Sequence, residues 1–197
     1  MHSPSGIIYL ACSTPVHRVH WTPFLLIFND SLSETSTLDY VATYDPSQAT
    51  EPSKGIKRLT LKGFNDPRGL HVHGMDVVPA RNNPELLYVY LVNHRPQLAT
   101  AANTSAEIGA DSVIEVFSTE LGSDTLFHVK TVHDPRVIIT PNDVSGSPDG
   151  NSFFFTNDHS EKIGRVGSPF QTIFKLQSMT VLNMVATVFR SVFFNGC

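Results

Sequence analysis

Short runs of β-branched and aromatic residues, each bounded by Gly, Pro, Asn or Asp, fill most of the chain. Such runs predict β-strands, because branched and aromatic side chains fit a pleated surface and the bounding residues favour turns. No long helical period precedes residue 170. The sequence therefore predicts an all-β fold whose strands lie in the runs GIIYLACS, DYVATYDPS, GIKRLTL, LHVHGMDVVP, LLYVYLVNH, SVIEVFSTEL, LFHVKTV, NDVSGS and NSFFFTND.

One pattern of a turn followed by an apolar strand recurs along the chain. It is read in SPSGIIYLACS (3–13), VPARNNPELLYVYLVNH (78–94) and SPDGNSFFFTND (147–158). Each interval between copies holds about four strands, and repeated four-stranded units are typical of propeller blades. We therefore predict that residues 1–165 form about three blades of a β-propeller, with polar loop insertions at about 14–37 and 95–111. Residues 166–197 do not continue the pattern and are interpreted as a divergent tail outside the fold.

Polar residues flank each predicted hairpin at its open end. A hairpin centred on Asn83-Pro84 would place His73 opposite His94. A two-residue hairpin centred on Asp149-Gly150 would place residue 142 opposite residue 158 or 159. Successive blades would then gather these polar residues around one mouth of the propeller channel.

Two kinds of chemistry are open to these residues. His73 and His94 could act as a general base and its orienting partner, or they could be hydrogen-bonded histidines at strand ends. Asn142 and Asp143 offer oxygen ligands for calcium, and because neighbouring strand residues point in opposite directions they could serve two ions. They could equally form local turn hydrogen bonds. His71, His128 and His133 are predicted to be strand or loop histidines without partners.

Composition excludes some classes of partner. The formal net charge is -4 and the pI is about 6.1, so no broad basic surface is expected for nucleic acid. No uninterrupted apolar run is long enough for a membrane helix, and no signal peptide is recognised at the start. Sequons at Asn29 and Asn103 weakly favour a secreted protein. Cys12 and Cys197 are expected to be free thiols.

A family resemblance is carried by HGMDVVP with LLYVYLVNH, by IEVFSTE with LFHVKTV, and by PNDV with FFFTNDH. In this order, these motifs resemble the paraoxonase/arylesterase family, calcium-dependent six-bladed propellers that hydrolyse lactones and aryl esters. The resemblance implies that Asn142 binds a catalytic calcium and that Asp143 and the Met75 carbonyl bind a structural calcium. It also implies that His73 and His94 form the dyad that activates water, and that the substrate is a small ester or lactone.

The resemblance also has limits. The family's acidic pair, which gives one ligand to each calcium, would fall before Met1, and its later ligands have no counterpart. About three blades would also leave open sheet edges that favour self-association. We therefore expect incomplete calcium sites and little or no hydrolytic activity from this chain. The alternatives are a non-catalytic propeller fragment with a structural or interaction role, and a gluconolactonase-like propeller.

Overall fold

The computed structural model describes residues 5–29, 39–48, 55–98, 104–159 and 161–163. The predicted tail, Asn103 and Cys197 lie outside these residues. Two short α-helices, α1 (Pro15–His20) and α2 (Ser105–Ile108), and a 3-10 turn (Pro23–Leu25) accompany the strands. The strands are β1 (Ile8–Cys12), β2 (Trp21–Thr22), β3 (Ile27–Phe28), β4 (Tyr40–Tyr44), β5 (Ile56–Arg58), β6 (Thr60–Lys62), β7 (Val72–Ala80), β8 (Asn83–Arg95), β9 (Asp111–Glu120), β10 (Thr125–Val132), β11 (Pro141–Gly146) and β12 (Phe153–Asn157).

The strands form one large sheet and three small ones. The large sheet has the order β6-β10-β9-β8-β7, in which β7 to β10 are an antiparallel meander and β6 lies parallel to β10. A second sheet has the order β1-β4-β5, and β11-β12 and β2-β3 form two-stranded sheets. The all-β prediction is confirmed. The propeller stays a prediction, because none of these sheets, as far as the chain is described, closes on itself.

The large sheet is buried on both faces because β8 is apolar at every position from Leu86 to Val92. Along β8, Tyr88, Tyr90 and Val92 point to one face, and the alternate residues point to the other. The first face packs on β11 and β12 through side chains such as Phe153 and Phe155. The second packs on β1 and β4 through Leu87, Val89, Leu91, Tyr9 and Val41. This double burial holds the ends of β7, β8 and β9 in place, where the polar residues lie.

The segment 14–29 was expected to be a polar loop, and it is more ordered than that. The Thr14 side chain accepts a hydrogen bond from His17 N, and Pro15 occupies the first turn of α1. Both features are typical of a helix start. Trp21 is almost fully buried, so the segment is anchored by an aromatic core residue of its own.

The second expected insertion, 95–111, is also partly ordered. It contributes Arg95 to the end of β8, Asp111 to the start of β9, and the short helix α2 between them. Thr104 and Glu107 form a capping box at the start of α2. Both ends of this insertion are therefore fixed to the meander, where Arg95 pairs with Asp111.

The first predicted turn is misplaced, and the second is centred on Asp149-Gly150 as predicted but is longer. Ala80 pairs with Asn83, so the first turn lies at Arg81-Asn82 rather than Asn83-Pro84. In the second hairpin Ser147 N donates to Ser152 O, so the loop spans residues 148–151 and is longer than two residues. Gly150 still takes the positive φ of 68° that a tight turn requires.

Candidate functional site

The imidazole rings of His73 and His94 meet at the end of the β7–β8 hairpin. Nδ1 of His73 lies 3.1 Å from Nε2 of His94. The strand register does not pair the two residues directly, since Val72 lies opposite Asn93 and Met75 opposite Leu91. The irregularity between Val72 and Met75 turns the His73 side chain toward His94.

Ser112 extends this hydrogen-bonded pair into the interior of the sheet. It lies directly opposite His94 in the β8–β9 ladder, and its hydroxyl oxygen is 2.9 Å from Nδ1 of His94. Ser112 and His94 are both buried, at 2% and 3% exposure. The result is a hydrogen-bonded chain, Ser112–His94–His73, that runs from the interior toward the surface. Sequence reasoning missed Ser112, because a lone serine at a strand start carries no signal of its own.

Burial keeps both histidines of the chain neutral. It lowers the pKa of His94 to about 3, with smaller contributions from nearby His73, Arg18 and His71. Burial, followed by the charge of Arg18, also lowers the pKa of His73. Each ring at neutral pH therefore carries one N–H and one lone pair, which allows it to donate and to accept at the same time.

Acidic groups partly offset the effect of burial on His73. Burial and then the charge of Arg18 lower the pKa of His73, whereas the charges of Asp158 and Asp143 and a hydrogen bond with the Pro141 backbone raise it. Asp158 lies beyond the Asn157–Pro141 pair, with its backbone N–H donating to Thr140 O at 2.9 Å. Residue 142 was predicted to lie opposite residue 158 or 159, and it lies nearer to residue 157. The pairing is irregular between Pro141 and Val144.

The three residues assigned to calcium by resemblance converge at one crossing of β7 and β11. A Cβ built on Gly74 would lie 2.6 Å from Asp143 Cα and 2.7 Å from Asp143 Oδ1, and it would also contact the Asn142 carbonyl oxygen. Asp143 Oδ1 already accepts a hydrogen bond from Val144 N at 2.9 Å. Met75 follows Gly74 in the chain. This crossing therefore brings the Asn142 backbone carbonyl oxygen and an Asp143 carboxylate oxygen against Gly74, the residue before Met75.

These oxygens are of the type that calcium binds, but they are too few for a complete site. Calcium binds about six to eight oxygens, whereas only a few are identified at this crossing. Within the described ranges, no group of three or more His, Cys, Asp or Glu side chains is placed to hold a metal ion. A full coordination shell would need oxygens from outside this group of residues.

The segment from α1 to β3 covers the histidine pair. Trp21 Nε1 donates to the His94 carbonyl oxygen at 2.8 Å, and Arg18 donates to the Val72 carbonyl oxygen at 2.5 Å. The Phe24 ring stacks on the His73 ring, with centroids 5.0 Å apart and an interplanar angle of 15°. The carbonyl oxygen of Phe24 lies 3.2 Å from His159 Nε2. Contacts with the β7–β8 and β11–β12 hairpins therefore hold the segment from α1 to β3 over His73.

His71, predicted to be without a partner, belongs to a second buried chain. Its Nδ1 lies 3.0 Å from His17 Nε2, and its Nε2 lies 2.8 Å from the Arg68 carbonyl oxygen. His17 Nδ1 lies 2.9 Å from Asp39 Oδ1, while Asp39 Oδ2 accepts from Val72 N. Burial lowers the pKa of His71 to about 4. This chain joins the cover and β4 to the large sheet.

The other two histidines predicted to lack partners are also paired. His128 Nε2 lies 2.9 Å from Glu115 Oε2, and Glu115 is fully buried on the sheet face opposite Ser112. Glu115 also accepts from Asn93 and Thr131. Glu115 falls at an inward-facing position of the strand SVIEVF. A buried charge needs a partner, so this position was a sequence signal that a partner exists. His133 Nε2 lies 3.1 Å from Asp111 Oδ1 at the surface.

No protein-family model matches the chain, and no curated protein matches it significantly. The described helices include none that is long and apolar enough to cross a membrane.

Proposed function

We propose that the chain carries the histidine dyad and part of the calcium site of an ester- or lactone-hydrolysing β-propeller of the paraoxonase/arylesterase type. The contact that carries the proposal is the 3.1 Å approach of His73 and His94 beside the crossing that holds Asn142 and Asp143. A neutral imidazole next to oxygen ligands for a metal is suited to hydrolysis of a carbonyl compound. The antiparallel meander of β7 to β10 supports the propeller as its scaffold.

Each residue has a role in this proposal. Asn142 would hold the catalytic calcium, and Asp143 with the Met75 carbonyl would hold the structural calcium. When bound, the catalytic ion supplies Lewis-acid polarisation of the ester carbonyl. His73 would contact the reacting water or carbonyl, and His94 would orient His73. Phe24 would exclude bulk water from the face of the His73 ring on which it stacks.

The second candidate is a non-catalytic module. It is favoured by the shortage of metal-binding groups among the described residues and by the cover that lies on His73. In this case the two histidines would serve only to join β7 to β8. The gluconolactonase-like propeller has no separate observation in its favour.

Hydrolysis of phenyl acetate and of a simple lactone by the purified chain tests the proposal. The rate is measured with millimolar calcium and with a chelator. Because few oxygen ligands are in place, we expect little or no turnover from wild type, and any turnover should require calcium and be lost in His73→Gln. Absence of both turnover and calcium binding, the latter measured by titration calorimetry, would favour the non-catalytic module.

His133→Gln is the matched control. The His133 side chain is 45% exposed and pairs with Asp111 at the surface, so its loss has little structural effect. It should leave the rate unchanged. Hydrolysis that is equal in wild type, His73→Gln and His133→Gln, or that survives the chelator, would contradict the proposed site.

A further inference from the structure

The buried chain from Asp39 through His17 and His71 consists of three contacts whose atoms are all identified. Asp39 Oδ1 lies 2.9 Å from His17 Nδ1, and His17 Nε2 lies 3.0 Å from His71 Nδ1. His71 Nε2 lies 2.8 Å from the Arg68 carbonyl oxygen. Each ring nitrogen of the two histidines therefore has a named partner, and the hydrogens of the chain can be assigned from these contacts.

Both ends of this chain accept hydrogen bonds. The Arg68 carbonyl can only accept, and Asp39 accepts at both of its oxygens. The Ser13 hydroxyl donates to Asp39 Oδ1 at 2.5 Å, and Val72 N donates to Oδ2 at 2.8 Å. These donors stabilise the ionised carboxylate, whose side chain is fully buried. Ser13 also lies 3.2 Å from His17 Nδ1, where its oxygen can only accept, because its hydrogen is directed to Asp39.

The three contacts need three hydrogens on two rings. A contact between a nitrogen and an acceptor, or between two nitrogens, is a hydrogen bond only if one hydrogen lies in it. Two neutral imidazoles carry two hydrogens, so one of the rings must carry hydrogen on both nitrogens and be a positively charged imidazolium. That ring is His17, because it touches the Asp39 carboxylate, whereas His71 lies one ring further away. Burial, which lowers the pKa of His71 to about 4, agrees with a neutral ring there.

We propose that His17 is an imidazolium buried against Asp39, and that this ion pair fastens the segment from α1 to β3 over His73. His17 and Asp39 are then positioning residues of the candidate site. The charge on His17 follows from the hydrogen-bonded chain alone, whereas the use of the ion pair in catalysis rests on the proposed hydrolytic function.

Val72, the residue before His73, is the point at which the ion pair meets the candidate site. Its N–H donates to Asp39, and its carbonyl oxygen accepts from Arg18 of α1. The backbone that carries His73 is therefore held by β4 on one side and by α1 on the other. Phe24, which stacks on the His73 ring, belongs to the same segment as α1. Attraction between His17 and Asp39 therefore holds α1 and β4 together around this backbone.

The neighbouring charges have partners of their own. Arg18 directs its guanidinium to the Val72 carbonyl, and Asp66 forms ion pairs with Arg68 and Arg95. The pair of His17 and Asp39 is therefore separate from the ion pairs of Asp66, and substitution of Asp39 tests it alone.

Long-range proton–nitrogen NMR correlations of the full chain, labelled with ¹⁵N-histidine, measure which ring nitrogens carry hydrogen. Through-bond correlations from each ring to its backbone assign the signals without any substitution. At neutral pH we expect hydrogen on both nitrogens of His17, and on Nε2 alone in His71. An unprotonated nitrogen in His17 would overturn the proposal.

Asp39→Asn tests whether Asp39 is the partner of this charge. An amide N–H directed at His17 Nδ1 supplies the third hydrogen of the chain, so His17 should become neutral with an unprotonated Nδ1. Asp45→Asn is the matched control, because it makes the same change in an exposed acid just beyond β4. It should leave the His17 signals unchanged. A doubly protonated His17 in Asp39→Asn, or an equal change in both variants, would overturn the pairing.

The rate at which diethyl pyrocarbonate modifies His73, measured by mass spectrometry, tests the hold on the segment. Asp39→Ala leaves a buried charge without its partner and should raise the rate about tenfold or more. Asp39→Asn keeps the hydrogen bonds without the charge and should raise it less, and Asp45→Ala should not change it. An unchanged rate in Asp39→Ala would overturn the role in positioning. If Asp39→Ala does not fold, Asp39→Asn decides the question, because a rate equal to that of wild type would overturn the role of the charge.

These outcomes are distinct from those of the hydrolysis assay. The spectra and the modification rates are recorded without substrate, so absence of turnover leaves the ion pair standing. An unprotonated nitrogen in His17, in turn, would leave the proposed hydrolytic function standing, because His73 and His94 lie outside this chain.

Discussion

At Gly74 the backbones of β7 and β11 come closer than any side chain would allow. The position does not need glycine for its backbone angles, since Gly74 is not among the residues with positive φ. It needs glycine for space, because an added Cβ would contact the backbone of Asn142 and Asp143, which cannot rotate away. The absence of a side chain at Gly74 therefore allows Asn142 and Asp143 to lie close to the backbone that precedes Met75.

Gly74→Ala should lower the free energy of unfolding by about 3 kcal/mol, the upper part of the range for overpacked sites, because one of the two strands must move. Urea denaturation measures the change. Gly122→Ala is the control: Gly122 has a φ of 80° and no atom within 4 Å of an added Cβ, so only its backbone conformation opposes alanine, at a cost of about 1 kcal/mol. Equal losses in the two variants would contradict the steric explanation.

At the scale of elements, the segment from α1 to β3 is bound to the rest of the molecule by side chains that the sequence does not mark as a group. Trp21 reaches the His94 carbonyl, and Phe24 covers the His73 ring. His17 joins the same segment to His71. The accessibility of His73 therefore depends on a separate element, and not on its own strand.

Phe24→Ala should increase the rate at which diethyl pyrocarbonate modifies His73, because removal of the stacked ring exposes the imidazole. Mass spectrometry of the modified peptides measures this rate. Leu25→Ala is the matched control, since Leu25 belongs to the same 3-10 turn and is 52% exposed. An unchanged rate in Phe24→Ala, or an equal increase in both variants, would show that the segment does not protect His73.

At the scale of the whole molecule, buried neutral histidines link stability to pH. The pKa values of His71 and His94 are about 4 and about 3, against 6.5 in the unfolded chain. Between these values the unfolded state binds protons that the folded state excludes. Acid therefore favours unfolding, and stability present at pH 7 is lost as the pH falls below about 6.5.

We expect the free energy of unfolding to fall between pH 6.5 and pH 4, by up to about 1.4 kcal/mol per pH unit for each of the two histidines. Asp66, with a pKa of about 2, adds to the loss only below its unfolded value of 3.8. Urea denaturation at several pH values measures the slope. His94→Gln should reduce this slope by up to about 1.4 kcal/mol per pH unit, because one buried neutral histidine is removed. A flat profile above pH 4 would contradict neutral burial.

Local sequence determined the strands of this protein. The run LLYVYLV is short, rich in β-branched and aromatic residues and flanked by turn residues, and these features favour a strand over a buried helix. The strand pattern also predicted that His73 lies near His94 and that Asn142 and Asp143 lie at a strand start. The first turn was misplaced because an irregularity between Pro79 and Ala80 moves it, and further irregularities at Val72–Met75 and Pro141–Val144 shift the pairing at the open ends. None of these irregularities leaves a mark in composition.

Only the tertiary structure decided the partners of the buried polar groups. Ser112 meets His94 because β9 lies beside β8, and His17 meets His71 across 54 positions of sequence. A buried polar group must find a partner, and local sequence predicts that need without naming the partner. The partner is whichever donor or acceptor the packing of sheets brings within about 3 Å. Strand identity depends on neighbours in sequence, whereas the chemistry of this site depends on neighbours in space.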